Sequence, residues 1–129
     1  MQPLSLLALY EGYVTRYRGW ERRGTIPLKR LRQVERHQAQ LTGFLKQQES
    51  SGITAQDFSF GLATHFFTWL MGAQQYPPAR ASRHVRRLQR VLWWGVEQAY
   101  LAHNPLAGFS CPRLAGNKVK ASTSLLYPV

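Results

Sequence analysis

Residues 80–90 read Arg-Ala-Ser-Arg-His-Val-Arg-Arg-Leu-Gln-Arg and run directly into the apolar stretch that starts Val91-Leu92-Trp93-Trp94. At roughly 100° per residue, Arg80, Arg83, Arg86, Arg87 and Arg90 fall within about 120° of one another. Val85, Leu88, Leu92, Val96 and Ala99 fall on the opposite side. This two-sided spacing predicts a helix with one face in a core and the other turned to something negative. A guanidinium fork matches phosphate oxygens bidentately and also matches the acceptor edge of guanine. A row of arginines therefore suits a nucleic-acid groove better than a row of lysines.

Working outward, breaks in the pattern divide the chain into four helical stretches and a tail. Pro3 to about Trp20 places Leu6, Leu9, Tyr10, Tyr13, Tyr17 and Trp20 near a helical period, and Gly19 and Gly24 bracket the basic turn that ends it. A second helix is predicted to about Gln48, with Thr25 as capping oxygen and Pro27 in the first turn, where a missing N–H costs nothing. Val34, Leu41, Phe44 and Leu45 share one face of it, and Lys29, Arg32, Arg36 and Gln40 project from the other. That makes a second basic stripe, in which Glu35 is the one acid before Glu49.

Glu49-Ser50-Ser51-Gly52 reads as a loop, and Thr54 to Asp57 carries a capping signature that opens a third helix there or a few residues later. Phe58, Leu62, Phe66, Trp69 and Leu70 then form an aromatic-rich stripe suited to packing. Gly72 to Pro78 breaks the chain before the arginine helix. That helix is predicted to run to about His103, where Asn104-Pro105 stops it.

Composition agrees with a polyanionic partner. The 129 residues hold seventeen Lys and Arg against six Asp and Glu, formal net charge +11, and the isoelectric point is about 10.7. No apolar run approaches the roughly 18 residues of a membrane span, and Met1 to Tyr10 lacks the basic start and cleavage site of a signal peptide. A soluble, cytoplasmic protein with no membrane partner is expected. One cysteine, Cys111, allows neither an intrachain disulfide nor a Cys-based zinc site, and it reads as an ordinary linker thiol. His37, His65, His84 and His103 lack metal-ligand spacing, so each reads as a capping or partly buried imidazole, and no metal or cofactor is expected.

The run Arg83-His84-Val85-x-x-Leu88-x-Arg90-Val91-Leu92, followed by Ala99-Tyr100-Leu101-x-x-Asn104-Pro105-Leu106-x-x-Phe109, resembles the last helix and exit of the core-binding domain of tyrosine site-specific recombinases, the phage-integrase SAM-like domain. The likeness is to integrases of the Bacteroidetes mobile-element type. Asp57-Phe58-Ser59-Phe60 leading to Phe66-x-x-Trp69-Leu70, and Val34 with Leu41-x-x-Phe44-Leu45, fit the same pattern, so the resemblance covers about residues 4 to 110.

The resemblance implies an all-α, four-helix SAM-like bundle over residues 1–110 that forms half of a clamp on DNA, with residues 111–129 as interdomain linker or tail. The second and fourth helices would face the major groove of a recombination half-site. Other recombinase protomers would be partners in a full-length enzyme, and a bacterial nucleoid would be its place of work. The catalytic half of such enzymes follows this domain and supplies the arginines, histidines and nucleophilic tyrosine. Tyr127 has no such surroundings and is not assigned that role, so the expectation is a domain that is catalytically inert alone.

The candidate DNA-binding residues are Lys29, Arg32 and Arg36 on the second helix, and Arg80, Ser82, Arg83, His84, Arg86, Arg87 and Arg90 on the fourth. Ser82 is read as a cap or phosphate donor and His84 as a donor to phosphate. Trp94 falls inside the arginine face, open to either base stacking or helix docking, whereas Trp93 reads as packing. Two other classes fit the same residues. One is a basic helical module that binds an acidic protein, and the other a helix-turn-helix regulator, against which the long, two-proline connection before the arginine helix argues.

Overall fold

The structure, a computed structural model, describes residues 3–112. It holds four α-helices, α1 (Leu6–Arg22), α2 (Leu28–Gln47), α3 (Phe60–Gly72) and α4 (Pro78–Glu97), with one 3-10 turn, Ala55–Asp57, ahead of α3. The four-helix, all-α expectation holds, and the described residues contain no strand beyond an isolated bridge between Ser5 and Thr54. α1 packs against α2 and α4, and α3 against α4 and α2. The expected tail residues Arg113, Lys118, Lys120 and Tyr127 lie outside the described residues.

Helix starts follow local oxygen donors where the sequence provides them at the right place. Ser5 accepts from the Ala8 N–H at 3.1 Å to open α1, and Ser59 accepts from the Leu62 N–H at 3.2 Å to open α3. Thr54 makes no side-chain cap bond, so its signature yields the short 3-10 turn instead of a helix. Thr25 does not cap α2 either. Its N–H bonds back to the Trp20 carbonyl at 2.8 Å and so closes α1, while Pro27 takes the cap position of α2.

Three helices end in the same hydrogen-bonded motif, and this shortens α4. After α1, the Gly24 N–H reaches Glu21 O and the Thr25 N–H reaches Trp20 O. After α2, Glu49 and Ser50 reach Lys46 O and Leu45 O, and after α4, Ala99 and Tyr100 reach Val96 O and Gly95 O. The pivot residue must be left-handed, with φ of 78° at Gly24, 55° at Glu49 and 63° at Ala99. Alanine there is strained, so Ala99→Gly is expected to stabilise the fold by about 0.5–1 kcal/mol in urea denaturation. α4 thus stops at Glu97 rather than near His103. Beyond it Leu101 and Leu106 turn back into the core, the second held by Asn104 Oδ1 accepting from the Leu106 N–H at 2.8 Å.

The core is one cluster drawn from every helix, with Phe44 of α2 at 5.1 Å from Phe66 and 5.6 Å from Trp69 of α3. The returning segment also belongs to the body. The Gln89 amide donates to the carbonyls of Leu106 and Phe109, Phe109 meets Phe60 edge-on, and Cys111 packs half-buried on the core. Cys111 is therefore not a loose linker thiol, and burial raises its pKa above the ordinary thiol value.

α4 is covered by α1, α2 and α3 together. Its buried arc runs through Ala81, His84, Val85, Arg87, Leu88, Val91, Leu92 and Gly95, nearly half the helix circumference. The two tryptophans of α4 are placed accordingly. Trp94 docks against α1, edge-on to Tyr13 at 5.9 Å, so of its two readings helix docking is the one observed. Trp93, read as packing, is instead 49% exposed.

Candidate nucleic-acid interface

α2 and α4 are in contact, and two adjoining hollows carry basic residues, the first those of α2 and the second those of α4. One is lined by Pro27, Lys29, Arg30, Gln33 and Arg36, and the other, of about 180 Å³, by Gln33, His37, Arg83, Arg86, Arg87 and Arg90. Gln33 is common to both. No acidic side chain among the described residues lines either hollow. The acids of the neighbouring faces are engaged elsewhere: Arg18 of α1 holds Glu11 at 2.7 Å and Glu35 at 3.1 Å, and the Gln38 amide donates to Glu11 at 2.8 Å. Glu35, the one acid within α2, thus pairs with Arg18 of α1.

Lys29, Arg32, Arg36, Arg80, Arg83, Arg86 and Arg90 are exposed, as their spacing requires. Arg80 lies over the Tyr76 ring at 4.1 Å, and the Tyr76 hydroxyl accepts from the Gln40 amide at 3.2 Å, which ties the start of α4 to α2.

Three candidates are placed differently. Ser82 is in the second turn of α4, past the unbonded N–H groups, and its hydroxyl donates to the Ala79 carbonyl at 3.0 Å. It lines a separate cleft with Phe67, Gln89 and Phe109, so it neither caps α4 nor faces the groove. His84 is buried rather than poised at the surface. Its ring lies 4.1 Å from that of His37, tilted 42° to it, and 5.2 Å from Tyr76.

Arg87 is also buried, because its angle on α4 falls on the side α1 covers. Its Nη1 donates to the hydroxyls of Tyr13 and Tyr17, each at 3.3 Å.

The two neighbouring imidazoles are held neutral. Burial lowers His37 to about 3, aided by His84, Arg87, Arg36 and Arg80, and lowers His84 to about 4, aided by Arg80 and Arg36. Sequence reasoning did not bring His37, Tyr13 and Tyr17 to this site. The signal was present for His37, which follows Val34 by three residues and precedes Leu41 by four, on the apolar arc of α2.

Among the described residues no three His, Cys, Asp or Glu side chains gather as metal ligands, and no helix is long and apolar enough to cross a membrane. Neither protein-family models, curated proteins nor solved structures give a match to this chain.

Proposed function

We propose that this chain binds duplex DNA through the α2–α4 groove, as the core-binding half of a tyrosine recombinase clamp that serves DNA integration and recombination. One observation carries the reading: exposed arginines from two different helices, Arg36 on one side and Arg83, Arg86 and Arg90 on the other, line adjoining hollows whose described lining holds no acid. Phosphate contacts of this kind supply affinity and register, and arginine forks on a helix can read guanine edges. Strand cleavage belongs, on this reading, to a catalytic domain that joins the clamp. Other protomers would assemble beside it on a half-site in the bacterial nucleoid.

A protein-interaction reading has one observation of its own. Trp93 stands exposed at the edge of a cleft with Arg16, Tyr17, Trp20 and Trp94, an aromatic surface of the type that anchors partner proteins.

Fluorescence anisotropy with labelled duplex DNA separates the two. Arg83→Ala with Arg86→Ala and Arg90→Ala is expected to weaken duplex binding by at least about tenfold, through the loss of fork contacts worth about 1–3 kcal/mol where a base edge is read. Arg22→Ala with Arg23→Ala, at the exposed end of α1, is expected to change it little. Equal losses from both sets would reduce the effect to bulk charge, and no binding by the unaltered chain would leave the protein-interaction reading.

A further inference from the structure

Arg87 is a cation in an unusual position. It is 7% exposed, and among the described residues the salt bridges are those of Arg18 with Glu11 and Glu35, so no carboxylate answers its charge. Its Nη1 is engaged with two tyrosine hydroxyls, while its Nε is buried and has no partner among the described residues. Leaving a donor on a buried charged group unsatisfied costs more than leaving a neutral one.

Beside it, the Nδ1 of His37 is likewise buried without a partner, and both residues line the hollow of about 180 Å³ whose other walls are Gln33, Arg83, Arg86 and Arg90. Two buried side chains, each with an orphaned polar atom, thus line the hollow together with three exposed guanidinium groups.

We propose that this hollow seats one phosphoryl oxyanion, with Arg87 and His37 as its floor and Arg83, Arg86 and Arg90 as its rim. This deepens the polyanion reading of the groove and rests on it for the source of the anion, since a DNA phosphodiester and a small phosphate share the chemistry. A carboxylate is the poorer match. Four guanidinium groups line this one hollow, more donors than the two oxygens of a carboxylate can accept from, and the net positive charge of the site favours a phosphoryl group over a single carboxylate. His37 is faced by His84, Arg80 and Arg87 of α4 and by Arg36 of its own helix, and in these surroundings it meets the anion as a neutral imidazole with one N–H to give.

The test is nitrogen-15 NMR of the arginine side-chain N–H signals of the intact chain at neutral pH, titrated separately with inorganic phosphate and with a short duplex of mixed sequence. The Arg87 Nε–H signal is expected to shift saturably and downfield with both, and Arg87→Lys, which keeps the charge and loses the fork, is expected to weaken phosphate binding about tenfold. Because the main readout uses the unaltered protein, it stands even if the variant folds poorly.

If the duplex binds and shifts Arg83, Arg86 and Arg90 while Arg87 stays still with both probes, the seat is overturned and the DNA reading survives. Saturable binding of phosphate at Arg87 without duplex binding upholds the seat and assigns it to a small phosphate, against the DNA reading. Weak, non-saturating shifts of all arginines alike with phosphate overturn it.

Discussion

Acidification from pH 7 to about 4.5 is expected to cost this chain about 5 kcal/mol of folding stability, through His37 and His84. Both have folded-state pKa values lowered far below the ordinary 6.5, to about 3 and about 4, because burial and nearby arginines oppose their protonated forms. In the unfolded chain they take up protons as the pH falls through about 6.5, while the folded chain does not. The unfolded state therefore binds more protons in the window between the unfolded and folded values, and stability is complete above about pH 6.5 and declines below it. Each imidazole contributes up to about 1.4 kcal/mol per pH unit, so the pair together contributes about 2–3 kcal/mol per unit across that window. Against a total stability of about 5–15 kcal/mol this is a large fraction.

Urea denaturation at a series of pH values checks it. His37→Leu with His84→Phe should flatten the profile between about pH 6.5 and 4.5, and a flat profile in the unaltered chain would contradict the burial of the pair. Nearer the carboxylate range a further loss should begin. Hydrogen bonds from Gln38 and Arg18 hold the Glu11 carboxyl below its ordinary value, so its contribution is present above that value and fades as it protonates.

Phe44→Ala is expected to cost about 3–5 kcal/mol. The ring is fully buried where α2 meets α3, edge-on to His65 and packed against Phe66 and Trp69, and none of these can follow an alanine inward without leaving its own neighbours. Phe60→Ala supplies the contrast. That ring is 47% exposed and its one aromatic contact among the described residues is with Phe109, so a loss of under about 1.5 kcal/mol is expected by the same denaturation assay.

What the sequence made legible was set by side chains that act locally. The apolar stripes of Leu6 to Val14, Val34 to Leu45, Phe58 to Leu70 and Val85 to Leu92 are periodic within themselves, so four helices and their inner faces could be read without knowing what they pack against. The end of α4 was less accessible, because the motif that closes it usually places glycine at the pivot and here uses Ala99 at φ 63°. With no glycine to mark the break, the first visible stop was Asn104-Pro105. Thr25 and Thr54 misled for a related reason, since an oxygen-bearing residue near a helix start caps it only if the backbone brings the free N–H groups to it.

In the candidate site, Arg83, Arg86 and Arg90 lie near the middle of the outward arc and needed no knowledge of the neighbours. Arg87 and His84 lie at its margin, where exposure depends on which helix covers that side. A periodicity plot assigns one core face to a helix, and α4 has an arc widened by the docking of α1 through Tyr13, Tyr17 and Trp94. The same cover explains why Trp94 takes the docking place of its two open readings. The pairing of His37 with His84 joins residues on two helices, and no spacing within either helix encodes that distance.

The central claim is that the α2–α4 groove is a phosphate-binding surface, and the salt dependence of duplex binding tests it most directly. With Lys29, Arg30, Arg36, Arg83, Arg86 and Arg90, which line the two hollows, as about six phosphate contacts, log K should fall against log salt with a slope near −5, and neutralising Arg83, Arg86 and Arg90 together should bring it to about −2 to −3. A slope near zero, or a steep slope left unchanged by those three substitutions, would contradict the claim.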